Sequence, residues 1–121
     1  MAARIAFETP DNSRTTSPSS DRPIDLVHLA RQTMGDKALE TEILQMFARQ
    51  SRGLLQEIST AERDTAVALA HRLKGSAKAI GAFKVSVAAE RLEAEPEDAG
   101  AMASLQASMI EAENFITGLC R

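Results

Sequence analysis

The chain has 121 residues, no Trp or Tyr, four Phe and a formal net charge of −3 with both signs interspersed. That length admits one domain, and its core must be built from Leu, Ile, Val, Ala and Met, which with abundant Ala and Glu favours helices over sheets. The charge balance and the missing aromatic platform speak against nucleic-acid binding, and no apolar run approaches the ~20 residues of a membrane span.

In chain order, residues 1 to 22 read as a flexible tail. "FETPDNSRTTSPSSDRP" has almost no apolar content and cannot offset the entropy of ordering it. "MAARIAFETP" lacks an apolar signal-peptide core. Cys120 stands alone, so no internal disulfide forms and a reducing, cytoplasmic setting is expected.

Residues 23 to 121 are expected to form the folded unit. Asp25 is the N-cap of a short first helix and Gly35 its stop, with Leu26, Leu29 and Ala30 inward. "DKALETEILQMFARQSRGLLQEIST" is a long amphipathic helix with Leu39, Ile43, Met46 or Phe47, Leu54 and Ile58 at three- and four-residue steps. A third helix runs from about Asp64 to Ile80 with Gly81 as its C-cap, and a fourth, "AFKVSVAAERLEAEP", closes at Pro96. From Asp98 onward, Met102, Leu105, Met109, Ala112, Ile116 and Leu119 form a fifth apolar stripe. Short connections imply antiparallel neighbours. The expected fold is all-α, an antiparallel up-and-down four-helix bundle with an additional short N-terminal helix packed across one end.

The stretch "AHRLKGSAKAIGA", residues 70 to 82, places a glycine inside a helix, at a cost of ~1 kcal/mol relative to Ala. At 100° per residue, Leu69, Leu73, Ala77 and Ile80 form the core face. Asp64, Val67, Ala68, His71, Lys74, Gly75 and Lys78 share the opposite one. His71 is therefore outside, and Gly75 leaves a gap beside it. Tight helix packing, the other use of such a glycine, fits poorly because the core stripe runs on the far side.

If the hairpin turns near Ala82, position 71 is level with Glu93 and Lys74 with Glu90. A carboxylate there could accept a hydrogen bond from Nδ1–H and leave Nε2 as the exposed nucleophile. Equally, both glutamates could be solvated surface charges. His28, beside core positions of the first helix, reads as a structural or a surface residue.

These residues resemble a known family. "HRLKGSAKAIGA" is similar to the signature of histidine-containing phosphotransfer (HPt) domains, the shuttles of two-component phosphorelays: a His, then an apolar residue before a Lys, then a Gly and a small residue, with a second Gly closing the helix. "IDLVHLARQTMGD" resembles the family's first helix and its turn, so the likeness spans roughly residues 23 to 121, and the single-domain bacterial members fit best. The resemblance implies that His71 accepts a phosphoryl group on Nε2 from a receiver domain's aspartyl phosphate and passes it to another receiver. It implies that Lys74 neutralises charge on the transferring group, that Gly75 keeps the face bare for docking, and that Glu93 orients the ring. Asp64, Val67, Ala68 and Lys78 are the expected docking residues, and Ser76, turned toward the helix pair, a structural one. The implied partners are response-regulator receivers and a hybrid histidine kinase. No cofactor is expected on this chain, with Mg2+ on the receiver instead. The protein would be a monomeric phosphocarrier without autokinase activity.

The rivals are weaker. A kinase needs an ATP-binding domain that this length cannot hold, and kinase phosphoacceptor helices follow His with an acidic residue and a Pro, whereas Arg72 follows here. His28, His71 and Cys120 lie on different elements, which argues against a metal centre, and triad chemistry has no support. The readings left open are a receiver-binding bundle that passes no phosphate and a helical scaffold binding through Val67, Ala68 and Gly75.

Overall fold

The computed structural model describes residues 22–120. Of the expected tail, only Arg22 falls among them. The described residues form five helices: α1 (Leu26–Thr33), α2 (Lys37–Thr60), α3 (Arg63–Ile80), α4 (Phe83–Ala94) and α5 (Ala99–Leu119).

Local chemistry sets the helix ends. Asp25 caps α1 by accepting hydrogen bonds from the Val27 and His28 amides, Asp36 caps α2 at the Leu39 amide, and Asp98 caps α5 at the Gly100 amide. The first helix stops earlier than its glycine suggests. Met34 already takes the left-handed conformation at φ +55°, and Gly35 follows at +81°. Two successive left-handed residues make a tight reversal, and the solvated Met34 side chain packs against nothing.

On α2 the buried stripe is Glu40, Leu44, Phe47, Ser51, Leu54 and Ile58. This resolves the choice between Met46 and Phe47 in favour of Phe47, and it turns Leu39 outward, contrary to the sequence reading. A charged residue holds the inward position at 40 because the α1–α2 turn supplies partners. Thr33 donates to Glu40 Oε2 at 3.1 Å, and Lys37 lies 3.5 Å from Oε1.

The four long helices close a ring, with α2 on α3, α3 on α4, α4 on α5 and α5 back on α2, and the α3–α4 contact is the most extensive. Small side chains suit that contact: Ala66, Ala70 and Ala77 on α3 and Ala88 and Ala89 on α4 are all buried, as are Ala101 and Ala112 on α5. Leu73, Leu92, Leu105 and Met109 fill the space between. Met102 and Leu119, expected in the α5 stripe, are half-buried and exposed, since they lie off the line of Ala101, Leu105, Met109, Ala112 and Ile116.

The short α1 packs against α2 and α3. It is pinned to the α3–α4 turn, where the Asp25 amide donates to Gly81 O at 2.8 Å. Gly81 has φ +88°, and a Cβ there would meet Asp25 O at 2.8 Å, so only glycine fits both the turn and the contact. His28 Nε2 reaches Ala79 O at 3.0 Å, and its ring stands edge-on to Phe83. A carbonyl can only accept, so Nε2 donates, and His28 is structural.

Candidate functional site

The site is made by the α3–α4 hairpin. Its register is fixed by the short turn at Gly81 and Ala82, whose amides return to carbonyls of the last turn of α3. Eleven residues back along α3 and eleven forward along α4, His71 and Glu93 meet: Nδ1 lies 2.8 Å from Glu93 Oε2. A carboxylate offers only acceptors, so Nδ1 carries the proton, and in the neutral ring Nε2 holds the lone pair. The imidazole is 65% exposed while Glu93 is 24% exposed, so the ring projects from a partly sheltered anchor.

The other oxygen of Glu93 does something the level-matching rule missed. Lys74 Nζ sits 2.8 Å from Glu93 Oε1, not at Glu90. Oε1 is closed off from solvent, and Lys74 is its charge partner. Level matching places backbones, but a lysine's four-carbon stem lets its head reach along the groove toward the more sheltered carboxylate. Glu90 is exposed and acts on Lys74 only through its charge. One carboxylate thus ties two residues of the same helix turn.

The electrostatics follow from this geometry. The close Lys74 ammonium, and after it the His71 hydrogen bond, hold the Glu93 carboxyl below the usual carboxylate range, against the opposing effect of desolvation. In return the close Glu93 carboxylate, aided by the charge of Glu90, holds the Lys74 ammonium above the usual lysine value, against desolvation.

Gly75 is exposed, and a Cβ built there would meet nothing within 4 Å. Packing against a neighbouring helix is therefore not its role. Asp64, Ala68 and Lys78 are exposed and Val67 is half-buried, so the expected docking residues lie at the surface of α3. Ser76 is exposed, at the rim of a groove between α2 and α3 lined by Arg49, Gln50, Gly53, Leu54, Glu57 and Arg72. Gly53 in that groove escaped the sequence reading. Like Gly75 it is a mid-helix glycine whose Cβ would meet open space, and the same question put to it would have singled it out. Among the described residues no three His, Cys, Asp or Glu stand close enough together to hold a metal ion, and no helix is long and apolar enough to cross a membrane.

Comparison with known proteins adds one finding. The Hpt domain model matches residues 42–115, a span that takes in most of α2, all of α3 and α4 and most of α5. No curated protein and no solved structure matches the chain. The matched span holds His71, Lys74, Gly75 and Glu93, and it covers more than half of the sequence. The chain belongs to the Hpt domain family, the family of histidine phosphotransfer in two-component phosphorelays, whose members interact with receiver domains and kinases.

Proposed function

We propose that this protein accepts a phosphoryl group on His71 Nε2 from a receiver's aspartyl phosphate and delivers it to the aspartate of another receiver. The Nε2 lone pair attacks phosphorus in line, the bond from phosphorus to the aspartyl oxygen breaks, and the carboxylate leaves. The observation that carries this reading is the 2.8 Å contact between His71 Nδ1 and Glu93, which leaves Nε2 as the nucleophilic nitrogen of an exposed ring.

The other residues take roles around that atom. Lys74 supplies positive charge one turn from the ring, near where a dianionic phosphoryl group would sit, while keeping its contact with Glu93. Gly75 leaves the surface low enough for a receiver's acidic, Mg2+-bearing pocket to close over the imidazole. Asp64, Val67, Ala68 and Lys78 form the rest of the docking face. Phosphoryl transfer rests on positioning and electrostatics, and the site offers both.

The proposal includes the overall arrangement, an antiparallel up-and-down bundle of α2 to α5. Contacts between residues equidistant from the α3–α4 turn support it, as do the contacts of Arg91 on α4 with Asp98 and Ser104 across the next turn. It also includes a monomeric cytoplasmic carrier without autokinase activity, fed by a hybrid histidine kinase.

The test is incubation with a phosphorylated receiver domain, followed by mapping of acid-labile, base-stable phosphate. The expected result is label on His71 alone, lost in His71→Gln while receiver binding persists. Binding without label would leave a receiver-binding module that passes no phosphate.

A further inference from the structure

Glu93 is a carboxylate held on both oxygens, by the ring it touches and by an ammonium. That matters most once the ring is phosphorylated. Attack by Nε2 leaves the ring with a proton on Nδ1 and phosphorus on Nε2, a cationic imidazolium. Onward transfer returns the N–P electron pair to Nε2. If Nδ1 keeps its proton, the leaving group is a neutral imidazole. If Nδ1 has lost it, the leaving group is imidazolate, a far stronger base and a far poorer leaving group.

The residue opposite Nδ1 decides between these forms. An amide such as Gln can accept from Nδ1–H through its oxygen or, turned over, donate to a bare Nδ1 through its nitrogen. A carboxylate can only accept, and its charge opposes loss of the proton. Lys74 on Oε1 keeps that carboxylate anionic and in place. Among charged neighbours, α4 brings Glu93 to the ring and Glu90 within electrostatic reach of Lys74, and the ring's own helix adds Lys74. Helices α1 and α2, also packed on α3, place no charged group in an ion pair with His71 among the described residues.

We propose that Glu93 acts as a positioning residue for the Nδ1 proton, retaining it on phosphorylated His71 so that the N–P bond stays labile for onward transfer. The proton then remains on Nδ1 through the whole cycle: acceptance and delivery of the phosphoryl group each move one electron pair at Nε2, and no proton enters or leaves. This inference rests on His71 being the phosphoacceptor.

The experiment needs no partner. The full chain and its Glu93→Gln variant are phosphorylated with phosphoramidate and followed across pH by phosphorus NMR and by the rate of phosphate loss. In the wild type, the pH at which the phosphorylated ring loses its proton should lie above that of free phosphohistidine. In Glu93→Gln it should fall by about one pH unit, about tenfold in the protonation equilibrium. Between those two midpoints the variant should shed phosphate several-fold more slowly. A wild-type midpoint at or below that of free phosphohistidine overturns the inference without recourse to any variant, as does an unchanged midpoint in a folded Glu93→Gln protein. Failure of phosphoramidate to label His71 would instead overturn the phosphoacceptor reading, and this inference with it.

Discussion

Gly75 allows cost and use to be separated by substitution. Its helix bears the entropic penalty of a glycine in mid-span, and the open space around its missing Cβ means that no packing constraint requires it. Gly75→Ala should therefore stabilise the protein by up to about 1 kcal/mol in denaturant melts. Gly75→Gln should fold as well but, by raising a side chain beside His71, slow phosphotransfer from a phosphorylated receiver by tenfold or more. Normal transfer in Gly75→Gln would remove access as the reason for the glycine. Gly53, equally unencumbered, sits in the neighbouring α2–α3 groove, so the low surface is not confined to the turn that carries His71.

At the scale of the element, α3 has to be rigid on one side to be reactive on the other. Leu73 is fully buried, two residues from His71 and one from Lys74, among Ala66, Ala70 and Ala77 on the same inner face. Leu73→Ala should cost about 2–5 kcal/mol, since the alanine-lined interface has little side chain with which to fill the hole. A thermal or urea melt measures this, and a loss under 1 kcal/mol would mean that the site's footing lies elsewhere. Much of this helix was legible beforehand. The spacing of Leu69, Leu73, Ala77 and Ile80 fixes the inner face, and a short turn makes the pairing of His71 with Glu93 a matter of counting. What could not be read depends on reach and on tertiary approach. Lys74 passes Glu90 for Glu93 because of side-chain length and shelter. The α2 register admits Glu40 inside because Thr33 on another helix meets it. Gly81 is needed because the backbone of Asp25 comes within 2.8 Å of where its Cβ would be, and no local pattern announces that.

For the whole molecule, the Glu93 ion pair makes stability depend on pH at both ends of the scale. Glu93 is held below the usual carboxylate range, as is Asp98 at the α5 cap, first by the Gly100 amide and then by Arg91. A depressed carboxylate contributes stability that is present above its ordinary titration range and lost as pH falls through the depressed value. Lys74 is raised, so its contribution is complete below the usual lysine value and lost as pH rises through the raised one. Asp98 acts only on the acid limb, whereas the link between Glu93 and Lys74 fails whichever partner is neutralised. The stability difference between wild type and Glu93→Gln, taken from urea melts across pH, should therefore be smaller at strongly acid and strongly alkaline pH than between them. Asp98→Asn should lose its difference from wild type only on the acid side. A Glu93→Gln difference that persisted unchanged at high pH would mean that the carboxylate's stabilising partner is His71 and not Lys74, and the two-sided tie described for this hairpin would have to be abandoned.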